Sequence, residues 1–178
     1  LNLVKGYPSD MAAPATSRPS QCAPQLHKLR EQLSIRGLGA LLVSHDDEYL
    51  CEDLPPDRER LAFISGFTGS AGYAVITAST WQPPEGFNPG GAAPLPAALF
   101  VDGRYVLQAA AETDHTLYDI FDFADLNPAA WLCRALPRGT KVGTDLRCLS
   151  AASCERLRQQ LSAQDLELVD TGAQISGS

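Results

Sequence analysis

Several kinds of residue and pattern are scarce in this chain of 178 residues, and each scarcity removes a class of function. No apolar run approaches the roughly eighteen residues of a membrane-spanning helix, so no membrane partner is expected. Lys and Arg number 14 against 21 Asp and Glu and form no cluster. With a net charge of −7 there is no basic surface to track phosphates, and no nucleic-acid partner is expected. The three histidines, His27, His45 and His115, form no H-E-x-x-H and no other ligand spacing. The five cysteines are odd in number and widely spaced, without C-x-x-C. That pattern excludes a disulfide framework or zinc ribbon and predicts reduced, mostly buried thiols. No charged-then-apolar leader marks the chain for secretion, so a cytoplasmic location is expected. The single methionine, Met11, suggests a native start there, with residues 1–10 extraneous.

What is present fits one globular domain with a real core. A chain of this length buries about 70% of its unfolded surface, and 44% hydrophobic with 20% charged residues is ordinary for such a domain. Residues 1–21, with three prolines and little periodicity, read as a flexible leader to a domain over 22–172. Helical spacing begins at Pro24, through Leu26, Leu29, Leu33 and Ile35, and Gly37 can close that helix. Strands are predicted at 39–44, 73–77, 97–101, 116–121, 141–144 and 166–169. Helices are predicted after Asp57, over 105–113, from Asn127-Pro128 and over 150–161. Residues 82–96 hold five prolines and three glycines, a surface insertion that could be disordered. With only that loop between them, the second and third strands are expected to form an antiparallel hairpin. The predicted architecture is α/β, a mixed central sheet of about six strands with helices on both faces.

The most distinctive stretch is 63–72, FISGFTGSAG, with Gly66, Gly69 and Gly72 three residues apart. Glycine at this density marks positive φ or close approach to another surface. The familiar chemical readings fail on context. The spacing is not G-x-G-x-x-G and the run enters a strand, not a helix. No lysine follows it as a phosphate loop requires, and Ser70 lacks the glycine of a nucleophile elbow. The polar run from His45 to Glu48 reads as a solvated turn, because neighbours in an extended segment alternate faces and cannot converge on one metal. Glu52-Asp53 and Asp57-x-Glu59 read as ordinary exposed carboxylates. No catalytic constellation is visible.

Residues 60–77, RLAFISGFTGSAGYAVIT, resemble the signature of the N-terminal, creatinase/prolidase-like domain of eukaryotic-type Xaa-Pro aminopeptidases, the aminopeptidase P family of metallopeptidases. Three further segments resemble that family in the same order: His45-x-x-Glu48-Tyr49, LFVDGRYVLQ at 99–108, and Val142-Gly143-x-Asp145 with the helix after it. The chain departs from the family pattern at Val43, at Asp47 where a serine is usual, at Leu61 where a second arginine is usual, and in the 82–96 insertion. The resemblance implies removal of an N-terminal residue that precedes proline. The catalysis would lie in a separate pita-bread domain, absent here, whose two divalent metals (manganese) sit on two Asp, one His and two Glu. This chain alone is then expected to be inactive, with no cofactor of its own.

By the same resemblance its partners are its own C-terminal catalytic domain, a second copy in a homodimeric full-length enzyme, and peptides with proline in second position. Substrate-entrance or interface residues would be Phe67, Thr68, Ser70, Arg104, His45, Glu48 and Tyr49, with catalytic and metal-binding residues expected to be none. For Phe67 two placements stay open, a partner-covered aromatic or a ring folded into its own core. Arg104 could pair locally with Asp102 or across a domain boundary. Two other functions share the fold: a non-enzymatic peptide- or histone-binding module, and a different pita-bread enzyme such as prolidase or creatinase.

Overall fold

The computed structural model describes residues 22–51 and 53–172. The predicted leader and Glu52 lie outside the described residues. Helix α1 (Ala23–Ile35) turns Leu26 and Leu33 inward, seven positions and so two turns apart. The chain reverses at Gly37, φ 69°, into strand β1 (Ala40–Ser44). Helix α2 (Arg60–Ser65) is followed by β2 (Gly72–Thr77) and β3 (Ala97–Val101). A 3-10 turn (Gly103–Tyr105) leads into α3 (Val106–Glu112) and β4 (Tyr118–Asp122). Helix α4 (Pro128–Ala135) starts as its sequence predicts, with Asn127 Oδ1 accepting from Ala130 N at 2.9 Å and proline in the first turn. Strand β5 (Lys141–Thr144), a second 3-10 turn (Leu146–Cys148), α5 (Ala151–Ser162) and β6 (Glu167–Asp170) complete the order.

The six strands form one sheet in the order β4-β3-β2-β1-β5-β6. Only β2 runs against its neighbours: it pairs antiparallel with β1 and β3, and every other pairing is parallel. The expected hairpin is therefore β2–β3. Five strands share one direction, so their carboxyl ends, with the amino end of β2, lie on one rim of the sheet.

Alternation along the central strands separates two cores. Leu41, Val43, Ala74, Ile76, Leu99 and Val101 face α1, α2 and α3. Leu42, Val75, Ala98 and Phe100 face α4 and α5, where Trp131, Leu132 and Leu161 are fully buried. Each fully buried large apolar side chain contributes about 1.5–3 kcal/mol, against at most ~1 kcal/mol for an exposed ion pair. Apolar burial therefore dominates the stability of this fold.

Three expectations need correction. The 82–96 insertion lies on the outside, but Phe87 is only 8% exposed and its ring meets Trp131 edge-on at 5.3 Å. The Trp81 indole, just before it, donates to Ala135 O at 2.9 Å, and Asp119 Oδ2 accepts from Leu95 N at 2.9 Å. The loop is a packed strap rather than a disordered excursion. Strand β4 starts at Tyr118, not 116, because Asp114 holds a turn: its side chain accepts from Thr116 N and its carbonyl from the N–H groups of Leu117 and Tyr118. The five cysteines are free, but only Cys148 is buried and Cys51 is exposed.

Candidate functional site

The carboxyl-end rim gathers most of the segments that stood out in the sequence. In open α/β sheets the crevice beyond the carboxyl ends of the strands is where ligands most often bind. Here that rim carries the 45–60 loop after β1, the glycine run entering β2, the Asp102–Tyr105 turn after β3 and the Asp145–Cys148 turn after β5.

The glycine run is built around Phe67. Helix α2 ends on Gly66, φ 81°, whose N–H returns to Ala62 O. Phe67 is 1% exposed, so of the two placements open to it the ring takes the inward one. It packs edge-on to Tyr105, with ring centres 6.0 Å apart. A Cβ on Gly69 would lie 2.3 Å from Phe67 Cζ, and one on Gly72 would crowd Leu61, Phe100 O and the same ring at 3.1–3.2 Å. The close approach that these glycines permit is thus internal. Outside the ring the loop is tied to α3: Thr68 N donates to Glu112 Oε2 at 2.8 Å, Thr68 Oγ1 donates to the same carboxylate, and Ser70 Oγ lies 2.9 Å from Tyr105 Oη.

Arg104 pairs locally. Its Nε donates to Asp102 Oδ1 at 2.8 Å and its backbone N–H donates to the same oxygen at 3.0 Å. These bonds hold the Asp102 carboxyl below the usual carboxylate range.

The polar turn after β1 is not the solvated turn expected. Asp47 is 2% exposed; its Oδ1 accepts from Tyr49 N at 3.0 Å and Cys51 N at 3.1 Å, and its Oδ2 accepts from Arg58 at 3.3 Å. Burial alone would raise its carboxyl, but these backbone donors and the Arg58 guanidinium outweigh that and hold it low. Arg58 also pairs with Glu48 at 2.8 Å and covers the Tyr49 ring at 5.1 Å. Arg60, at the start of α2, reaches Asp145 at 3.6 Å and Glu48 at 3.9 Å, and donates to Cys148 Sγ at 2.6 Å. Arg147 closes the lattice with two bonds to the Asp145 carboxylate, at 2.9 and 2.8 Å. The Arg147 side chain first, against burial, and then the Arg147 N–H and the Arg60 charge hold the Asp145 carboxyl below its ordinary range.

Three carboxylates and three guanidiniums therefore knit the 45–60 loop to the turn after β5. Sequence reading missed the lattice, and the one signal was the paired Asp47-Glu48 facing Arg58-x-Arg60. His45 is held at the same rim by a backbone bond from its N–H to Gly72 O at 3.1 Å. Leu61, where a second arginine is usual, is 1% exposed in the core. A shallow crevice beside the lattice is lined by Ser44, Arg60, Thr144, Asp145 and Cys148.

In chemical terms the rim offers paired charges rather than an activated nucleophile or a metal cluster. Burial pushes the Cys148 thiol up despite Arg60, which disfavours the thiolate a nucleophile needs. Among the described residues no three His, Cys, Asp or Glu come together as a metal site, and Asp47, Glu48 and Asp145 face arginines instead. The described residues of this rim do not fit a dinuclear metal centre.

Comparison with known proteins places this geometry. The profile of the Creatinase/Prolidase N-terminal domain matches residues 25–177. Xaa-Pro aminopeptidase ApepP of Drosophila melanogaster is 36% identical over 135 residues, covering 75% of this chain and 19% of that protein. The probable Xaa-Pro aminopeptidase P of Laccaria bicolor is 34% identical over 152 residues, covering 82% of this chain and 20% of its own. The chain thus spans about a fifth of the length of these relatives. In fold it is similar to the X-prolyl aminopeptidase of Caenorhabditis elegans, a cytosolic enzyme with a di-nuclear active site. The TM-score is 0.68 at 24% identity, over 86% of this chain and 24% of that one.

Proposed function

The chain belongs to the Creatinase/Prolidase N-terminal domain family, and from that premise we propose that it is the non-catalytic N-terminal domain of a longer, metal-dependent Xaa-Pro aminopeptidase. In that protein it helps to shape the substrate entrance and makes inter-domain or subunit contacts. The family match over residues 25–177 carries this reading. The relatives' length supports it, since about four fifths of each lies outside the matched region.

Thr68, Ser70, Arg104, His45, Glu48 and Tyr49 are the residues of this rim that face such a contact, and Phe67 acts from beneath as the ring that fixes the loop. The two divalent ions, manganese in this reading, belong to the catalytic part, because no carboxylate of the lattice is free to hold them. The intact enzyme is cytoplasmic and homodimeric and acts on peptides with proline in second position.

The 178-residue chain, incubated with manganese and a peptide beginning Xaa-Pro, is expected to release no N-terminal residue, whereas the longer protein does so and a chelator stops it. Chelator-sensitive release by the short chain, or none by the longer protein with both metal sites filled, would refute the proposal.

A further inference from the structure

Only two described residues other than glycine adopt positive φ, Leu50 at 55° and Asp165 at 60°. Aspartate visits that region readily through local hydrogen bonds, but leucine does not. Leu50 is also 48% exposed, so burial does not offset the strain. The turn is nevertheless fixed from several sides. Asp47, itself buried, accepts the N–H groups of Tyr49 and Cys51 on its side chain and that of Leu50 on its carbonyl at 3.0 Å. Arg58 holds the far side of the Asp47 carboxylate and lies over the Tyr49 ring. Strain that the surroundings over-determine points to function. Here the product is specific: Tyr49, 70% exposed, and Leu50 stand side by side in solvent. Ile35, Phe63 and Leu107, the other exposed large hydrophobics among the described residues, are single residues on helices.

The occupant follows from topology. Strands β1, β5 and β6 run in parallel, so β6 delivers the chain to the same rim at Asp170. There Thr171 N bonds to Thr144 O, and Asp170 Oδ1 accepts from Leu146 N. That β5 turn is joined through Asp145, Arg60 and Glu48 to the Tyr49 turn. Whatever follows β6 in a longer protein therefore leaves from the same rim, next to the β5 turn that the lattice ties to the Tyr49 turn. The lattice charges beneath are matched three against three, so Tyr49 and Leu50 protrude as an apolar pair with one hydroxyl, on a loop whose Asp53, Asp57 and Glu59 are also exposed.

We propose that Tyr49 and Leu50 form a preformed plug that enters an apolar pocket in the polypeptide following β6 and fixes its orientation against this domain. The inference rests on the reading of the chain as the N-terminal part of a longer protein. A rigid, pre-stacked tyrosine loses little freedom on docking, and central buried aromatics carry most interface energy.

Hydroxyl-radical labelling of Tyr49 in the 178-residue chain and in the longer protein tests it. Labelling is expected to fall at least about fivefold in the longer protein, as full desolvation of an anchor requires. Equal labelling overturns the proposal, as does protection in the short chain that grows with its concentration, since a second copy is then the occupant. Leu50→Gly separates docking from folding, because glycine takes φ 55° without strain. It should leave the melting temperature of the short chain unchanged or higher, yet speed proteolysis between the two parts of the longer protein about tenfold, the loss of ~1.4 kcal/mol of docking energy. Unchanged proteolysis overturns the plug. If Tyr49 is protected but the longer protein cleaves no Xaa-Pro peptide, the proposed function fails and the plug stands. The opposite pair of results does the reverse.

Discussion

If the glycine run exists to close over Phe67, its two key positions must be coupled energetically. A Cβ at residue 69 would sit 2.3 Å from Phe67 Cζ, 2.8 Å from Cε2 and 3.1 Å from Cε1. The ring cannot easily retreat, because it is 1% exposed and lies against Tyr105 on one side and the Gly72 backbone on another. Gly69→Ala is therefore an overpacking change, expected to cost about 2–3 kcal/mol. Phe67→Leu removes the atoms that would collide and leaves a partial void, at less than the ~3–5 kcal/mol of truncation to alanine. In the Phe67→Leu background the added methyl fills part of that void instead of clashing, so Gly69→Ala should cost ~0–0.5 kcal/mol, near one buried methylene less its strain. The double-mutant cycle, read by urea unfolding of the 178-residue chain, should thus give a coupling of about 2 kcal/mol. Costs that add within ~0.5 kcal/mol would show that Gly69 is needed for another reason, such as contact with a separate surface, and would refute the internal account.

Two further outcomes follow from the structure. Phe87→Ala should destabilise the domain by about 2–3 kcal/mol, somewhat below the range for a central core Phe because the strap can partly collapse; a loss under ~0.5 kcal/mol in chemical denaturation would return the strap to a loose excursion. Asp145 has a folded pKa held below its unfolded value, so its contribution is complete above about pH 4 and is lost as pH falls through the lower folded value. Asp145→Asn should therefore be less stable than the parent at pH 7, with the gap in melting temperature narrowing toward about pH 2; a gap that stays constant with pH would show that the Arg60 and Arg147 pairings contribute nothing.

Local pattern explains which features were readable from the chain. Leu26 and Leu33 report α1 by their spacing, Asn127-Pro128 reports the start of α4, and the lack of a helix between residues 77 and 97 reports the reversed pairing of β2 with β3. The Asp114 turn that delays β4 is equally local, but its competition with strand pairing is decided by backbone bonds that spacing does not show. The ion-pair lattice was out of reach for a different reason. It joins Asp47, Glu48, Arg58, Arg60, Asp145 and Arg147, and its longest link, Arg60 to Asp145, spans 85 positions and four intervening strands. Each of these residues alone looks like an ordinary surface charge. Asp47 in particular reads as solvated until Arg58 is seen to return to it.

The direction of Phe67 illustrates the limit most clearly. Glycines on both sides allow the ring to point either way, so sequence leaves the choice open, and the space between Tyr105 and Gly69 settles it. The consequence reaches beyond one side chain. A resemblance concentrated in FISGFTGSAG transfers how α2, β2 and α3 fit together, because every glycine with a steric reason there meets this domain's own atoms. It says much less about what the domain touches. The proposed contact turn lies twenty residues earlier, where Asp47 stands in the place of the usual serine and its side chain accepts from two backbone N–H groups. A serine hydroxyl could accept one or both of those bonds but could not also hold Arg58 by charge. Asp47→Ser should therefore leave the core intact while loosening Arg58 from Tyr49, so the shape of the proposed contact turn depends on one of this chain's departures from the family pattern rather than on the signature it shares.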